Sequence, residues 1–314
     1  MKRKLPEILD ELTEKRVVIT AHRKADIDAV ASIFAINDML EDAVIAVSEE
    51  TEEGAEALLA HLGVPITDLE ALNPGQYDGL ILLDTSTTAL APAAKNWKVL
   101  LVIDHHQPEG RDIEGEYNII QPDSPSTAEI IANELDFDVS PKAAFALCCG
   151  IVSDTARFKS ARKETFLTLG RLMEVCGSSY EEILKYSEYS REKDERIAIL
   201  KGFQRAEYFE AGRYLLATSR VGSHGSDVAS YLAEVSHASF VGDYKEKADE
   251  TRVSARASKE FPVALNEVMS NVGKEFGGEG GGHKKAAGCS VKGEKTDEVL
   301  QKCIEITKQM LKSR

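Results

Sequence analysis

Along the first 160 positions, apolar residues fall into short unbroken runs separated by longer stretches with helical spacing. Runs at 17–20, 43–47, 79–83, 99–103 and 117–120 are mostly continuous, the pattern of strands covered on both faces. Between and after them, 29–40, 52–62, 127–135, 142–152, 164–175 and 180–186 repeat apolar positions every three or four residues and predict helices. Such alternation predicts an α/β fold, a mostly parallel sheet with helices on both faces. Residues 190–210 are polar, with Glu/Lys and Asp/Arg pairs at short spacing, and predict a connecting helix. The pattern then restarts, with strands at 213–219, 238–242, 251–257 and 287–291 and helices at 227–234, 262–272 and 296–311. A glycine-rich loop is predicted at 277–282. The expected division is a larger α/β domain at 1–188, a linker helix at 189–210 and a smaller α/β domain at 211–314.

A chain of 314 residues is long for one core and fits that division. Its longest apolar runs reach about half a membrane span, so no transmembrane helix is expected. The basic start, Met1 to Lys4, leads into Pro6 and Glu7 instead of a signal-peptide core. Five cysteines without CxxC spacing point to reduced thiols and the cytoplasm. The net charge of −15 is shared unevenly: residues 1–188 hold 34 acidic and 17 basic side chains, residues 211–314 hold 14 and 16. A surface so acidic suits long duplex nucleic acid poorly, because that binding neutralises many phosphates. Acids that hold cations are the exception, and a short phosphorylated substrate fits the distribution better.

The ends of the apolar runs carry the chemistry. Asp104-His105-His106 follows one run; His22, Asp26 and Asp28 follow another; Asp84 closes a third and Asp154 a fourth. A capping Asp beside a surface His would explain the second of these segments alone, and a hydrogen-bonded His pair the first. Four acids, each ending an element that reads as buried, are too costly to leave unpaired. Open α/β sheets gather ligands just beyond the carboxyl ends of their strands, so one convergent metal site is expected. Mixed imidazole and carboxylate ligation suits Mn²⁺, and less surely Mg²⁺, Co²⁺ or Zn²⁺. Asp84, on a central strand, is placed to bridge two cations, which about 3.5–4 Å apart can serve phosphoester hydrolysis. In the second half, Arg252, Ser254 and Arg256 alternate on one strand face, either a cradle for phosphate or a solvated face. The glycines before His283 would let backbone amides approach a phosphate, although neither a P-loop nor a dinucleotide fingerprint is present.

In this order the segments resemble the DHH/DHHA1 phosphoesterase family, nearly end to end. His22-x-x-x-Asp26-x-Asp28-Ala29 with Ser32 looks like its first motif, Asp84 the second, Asp104-His105-His106 the third, and Asp154-Thr155 with Phe158 the fourth. Arg252-x-Ser254-x-Arg256 and Gly280-Gly281-Gly282-His283 look like the substrate motifs of a DHHA1 domain. The resemblance implies that His22, Asp26 and Asp84 hold one ion, and Asp28, Asp84, His105 and Asp154 the other. It implies that His106 faces the substrate, that Asp104 orients a neighbouring imidazole, and that Arg252, Ser254, Arg256, Gly281, Gly282 and His283 grip the substrate. The chain departs from the family pattern at Lys24-Ala25, usually Asn-Pro, and at Ile27, Ala31 and Ala156, usually Gly. Its two-domain size is similar to that of nanoRNases. These cut short oligonucleotides, linear dinucleotides such as pApA, or 3′-phosphoadenosine 5′-phosphate. The expected protein is therefore a cytoplasmic, Mn²⁺-dependent phosphodiesterase of short oligonucleotides whose domains close about 189–210. A phosphatase of 3′-phosphoadenosine 5′-phosphate and a non-catalytic nucleic-acid-binding protein are the alternatives. The family admits a homodimer.

Overall fold

The computed structural model describes residues 3–48, 51–107, 110–187 and 193–312, so positions 189–192 of the expected linker lie outside the described residues. The chain divides into two compact units, Met1–Ser190 and Arg191–Arg314.

In the first unit, helix α1 (Leu5–Thr13) leads into β1 (Val17–Thr20), α2 (Ile27–Asn37), β2 (Ala43–Val47), α3 (Glu53–Leu62) and the two-residue β3 (Thr67–Asp68). Strands β4 (Gly79–Leu83), β5 (Val99–Asp104) and β6 (Tyr117–Ile120) follow, then α4 (Thr127–Glu134), α5 (Pro141–Asp154), α6 (Lys163–Cys176) and α7 (Tyr180–Ser187). The sheet is wholly parallel, in the order β3-β2-β1-β4-β5-β6. Strands β1 and β4 are therefore neighbours although separated in sequence. The chain reverses its direction of winding between them, and crevices of such sheets open at that reversal. The central runs VVIT and GLILL are buried at every position because both sides are covered.

The parallel sheet flanked by helices is as the sequence predicts, although its two faces are covered unequally. Val17, Ile19, Ile81, Leu83, Leu101 and Ile103 share one core with apolar residues from all seven helices. Val18, Leu80, Leu82 and Val102 face a smaller cluster formed by Leu69, Ala91, Ala94, Trp97 and Ile113, from short 3₁₀ turns and loops. Helix α5 is deeply buried. Ser140 caps it through the Ala143 amide at 3.1 Å, Pro141 presets its first turn, and every residue from Ala143 to Val152 is buried. Both Cys148 and Cys149 are part of that buried surface, and all five cysteines are free.

The second unit begins with α8 (Lys193–Gln204) and the strand β7 (Glu207–Ala211), where the sequence pattern predicted only a linker helix. Helix α8 belongs to this unit: Ala198 joins the cluster of Val228, Ala229 and Leu232, and Gly202 meets Val228 closely. Next come β8 (Tyr214–Arg220), α9 (Gly225–Val235), β9 (Ala238–Lys245), β10 (Glu250–Ala257), α10 (Leu265–Glu275), β11 (Glu279–Gly282), β12 (Ala286–Lys292) and α11 (Thr296–Lys312). The sheet runs β11-β12-β10-β9-β8-β7, with only β8 and β9 parallel. The predicted glycine loop is largely the edge strand β11, paired antiparallel with β12. Among the described residues no helix is long and apolar enough to cross a membrane.

Candidate metal centre

Strands β1, β4 and β5 deliver His22, Asp84 and Asp104-His105-His106 to the carboxyl edge of the first sheet. Helix α2 contributes Asp26 and Asp28, and Asp154 ends α5. All eight side chains singled out in this half of the sequence gather there. Donor atoms of His22, Asp26 and Asp84, of Asp28, His105 and Asp154, and of Asp84, His105 and His106 form three groups, each within 4.8 Å.

Asp84 is the pivot. Its carboxylate is almost fully buried, and its two oxygens face different partners: Oδ2 lies 3.4 Å from His22 Nε2, Oδ1 lies 3.4 Å from His105 Nε2. The residue has φ +59°, a left-handed conformation that non-glycine residues adopt at a cost. His22 Nε2 also stands 3.9 Å from Asp26, and His105 Nε2 stands 3.2 Å from Asp154. The far nitrogens set the tautomers. His22 Nδ1 donates to the Arg23 carbonyl at 2.9 Å and His105 Nδ1 to the Ser124 carbonyl at 3.3 Å, which turns both Nε2 atoms toward the carboxylates.

His106 is arranged differently. Its Nδ1 is 2.7 Å from Asp104 Oδ1, and Asp104, fully buried, also accepts from the His106 amide at 3.1 Å and from Ser86 Oγ at 2.7 Å. The ring is about half exposed. Its Nδ1 is committed to Asp104, so the free Nε2 can serve a ligand instead of the cluster.

Two partners were not visible as such in the sequence. The first amides of α4 hold Asp28: Thr127 donates at 2.7 Å and Ala128 at 3.0 Å, a helix N-terminus aimed at a buried anion. The Thr127 hydroxyl donates to Asp84 Oδ1 at 2.8 Å, so one residue secures two acids. In sequence, Ser126-Thr127 before an apolar run reads only as a helix cap, which Ser126 also is. Asp26 retains the capping role as well, accepting the Ala29 amide at 3.0 Å. Gly150 makes room for the cluster, because a Cβ there would meet Asp28 Oδ1 at 2.8 Å.

Crowding perturbs these groups. Burial, then the charges of Asp84, Asp154 and Asp26, raise the Asp28 carboxyl well above the usual range. Burial and the same neighbouring acids push Asp154 up to about 6 against the opposing pull of His105. Burial opposes the charge on His22, but hydrogen bonds to Asp26 and Asp84 raise it to about 11. The Asp104 bond raises His106, although burial resists it. Four carboxylates and two imidazoles crowded together form a donor set that suits a divalent cation.

The second unit holds the other predicted residues on β10, β11 and the turn that follows β11, half of them exposed and half partly buried. Ser254 on β10 pairs with Gly288, which pairs with Gly281 on β11, so a row free of large side chains crosses three strands. Arg256 lies beside that row, its Nη2 2.6 Å from Ser226 Oγ on α9. Arg252 is paired with Glu250 on its own strand at 2.6 Å, so the two guanidiniums are held differently. The glycines have separate reasons. Gly280 lies against the Met269 carbonyl, and Gly282 has φ +124°, whereas a Cβ at Gly281 would meet nothing within 4 Å. His283 is exposed and closes the hairpin through its amide to the Ala286 carbonyl at 2.8 Å.

Comparison with known proteins gives two family matches: the DHH family, N-terminal domain, over residues 16–151, and the DHHA1 domain over residues 223–309. The uncharacterized protein MJ0988 of Methanocaldococcus jannaschii is 30% identical over 318 residues, spanning 96% of this chain and 95% of that one. Among solved structures, an exopolyphosphatase-related protein from Bacteroides fragilis matches with a TM-score of 0.70 at 16% identity, over 99% of each chain. The pGpG-specific phosphodiesterase PggH from Vibrio cholerae matches with a TM-score of 0.51 at 16% identity, over 95% of this chain and 99% of that one.

Proposed function

Since the chain belongs to the DHH family of phosphoesterases, with a DHHA1 domain in its second unit, we propose that it hydrolyses short oligonucleotides or linear dinucleotides to mononucleotides, using two divalent cations. The observation that carries this reading is Asp84, whose two oxygens address separate imidazoles at 3.4 Å each. His22, Asp26 and Asp84 would hold one cation; Asp28, Asp84, His105 and Asp154 would hold the other. Manganese suits this mixture of imidazole and carboxylate donors best. Such ions, once bound, supply a nucleophile at neutral pH and offset charge on the phosphoryl oxygens.

The protein's own groups do the rest. Asp104 fixes the His106 ring and favours its protonated form, so Nε2–H can donate to the phosphoryl group or to the departing oxygen. Thr127 and the α4 amides keep Asp84 and Asp28 in register without relying on cations. In the second unit, Arg256, Ser254, His283 and the open Gly281 strand would offer a phosphate a positively charged resting place. PggH, similar in fold, is named for pGpG, and a linear dinucleotide is the substrate class proposed for this chain too. Five free cysteines are in keeping with a reducing cytoplasm.

The test is direct. Purified protein with Mn²⁺ is offered RNA and DNA from two to ten nucleotides, and products are read by mass. Mononucleotides appearing fastest from the shortest substrates support the reading. Orthophosphate released from 3′-phosphoadenosine 5′-phosphate, with dinucleotides left intact, refutes it.

A further inference from the structure

Residues 157–163 contain Arg157, Lys159, Arg162 and Lys163 with no acid among them, in a unit where acids outnumber bases two to one. All four are exposed. The segment starts three residues after Asp154 in the sequence. Its backbone is not relaxed: Ala156, Arg157 and Phe158 have φ of +47°, +56° and +69°, three successive non-glycine residues in the left-handed region. Amide bonds from Arg157 to the Val152 carbonyl (3.1 Å) and from Ser160 to the Thr155 carbonyl (3.2 Å) hold the turn. At its far end Arg162 Nη2 reaches the buried Glu129 at 2.8 Å, on the same helix α4 whose first amides hold Asp28. Strain held between two anchors is a mark of functional segments.

An apolar step continues the basic stretch. The Phe158 ring lies 5.0 Å from Phe166 at an interplanar angle of 35°, and Tyr180 supports it at 5.7 Å. Phe166 is 53% exposed and Leu167 59%. Cations interleaved with an exposed ring are how proteins hold single strands: phosphates on the charges, bases on the aromatic face. On so acidic a unit, this segment, interrupted by the single acid Glu164, offers a polyanion a favourable path.

We propose that residues 157–167 form a track for single-stranded oligonucleotide beyond the scissile linkage, with Lys159 and Lys163 at phosphates and Phe166 beneath a base. This rests on the phosphodiesterase reading and extends it from dinucleotides to longer strands. It also separates nucleic acid from inorganic polyphosphate, which would satisfy the cations but has no base for Phe166.

Two measurements on the full chain test it. The first is kcat/KM with Mn²⁺ for a dinucleotide and a pentanucleotide; the second is anisotropy of a labelled pentanucleotide on protein in EDTA, where no turnover occurs. Phe166→Ala should lower the penta- to dinucleotide ratio about tenfold, and Phe166→Tyr should restore it. The double change Lys159→Ala and Lys163→Ala should reduce the salt slope of log Kd by about 1.4, about 0.7 for each cation lost. Competition by tripolyphosphate should weaken in the lysine variant and be indifferent to Phe166→Ala. An unchanged ratio and an unchanged slope overturn the track, as does a Phe166→Leu protein that keeps the wild-type ratio. If wild-type protein cleaves no oligonucleotide, the phosphodiesterase reading fails, and the anisotropy in EDTA still decides the track.

Discussion

The two units solve the problem of holding anionic chemistry in opposite ways. In the first, carboxylates from four elements are driven into a buried space at the point where a parallel sheet reverses its winding. They remain there only because hydroxyls, helix amides and imidazoles share their charge. In the second, the candidate residues lie on an open antiparallel face, where Arg256 is held by one serine and Arg252 by a strand neighbour. Burial makes the first site rigid and intolerant, and exposure makes the second adjustable. Substitutions in the first should damage cation binding and turnover together, while those in the second should change substrate affinity alone.

The largest effect should come from Asp84→Asn. It removes the one carboxylate that faces both imidazoles, so turnover should fall by at least about 10³-fold. Calorimetry should show fewer than two Mn²⁺ bound; two ions bound at wild-type affinity would break the bridging assignment. Next comes Gly150→Ala, not itself a candidate ligand, whose methyl would meet Asp28, Ala128 and Ala31 within 3.1 Å. Overpacking of that kind costs about 1–3 kcal/mol. Both the melting temperature and manganese affinity should drop, in contrast to any substitution on the second sheet.

Arg256→Ala should raise KM about tenfold while leaving kcat and Mn²⁺ stoichiometry alone, and Arg252→Ala should do less because Glu250 already occupies it. Equal effects from the two arginines would deny the distinction the geometry draws. The pH dependence sharpens the comparison further. Burial and neighbouring acids raise Asp154 to about 6, so ionising it costs metal-free protein stability as pH climbs from the ordinary carboxylate range through 6. A bound cation cancels that cost. The rise in melting temperature on adding Mn²⁺ should therefore grow between pH 5 and pH 7, and a rise independent of pH would contradict it. The smallest effect belongs to Ala156→Gly, which relieves one left-handed residue and should stabilise the protein by about 0.5–1 kcal/mol by chemical denaturation.

How far the sequence could be read followed the same division. Candidate ligands at the ends of apolar runs were legible because a buried strand leaves its terminal polar residue one destination. Thr127 was not, since a hydroxyl at a helix start looks the same whether it caps or reaches a distant carboxylate. Strand β7 was hidden by the Glu- and Lys-rich pattern of the helix before it, and β11 by glycines whose strand conformation is imposed by β12. The left-handed run at 156–158 left no trace, because Ala, Arg and Phe do not announce positive φ.

Gly281 offers a gauge. Its neighbours in the glycine run are fixed by a close backbone contact and by an unusual dihedral, but it borders vacant solvent, so the fold would not register a larger side chain there. Only a molecule lying against the strand would. Alanine, serine and valine in turn would report, one increment of bulk at a time, how near a bound nucleotide comes to that edge of the sheet.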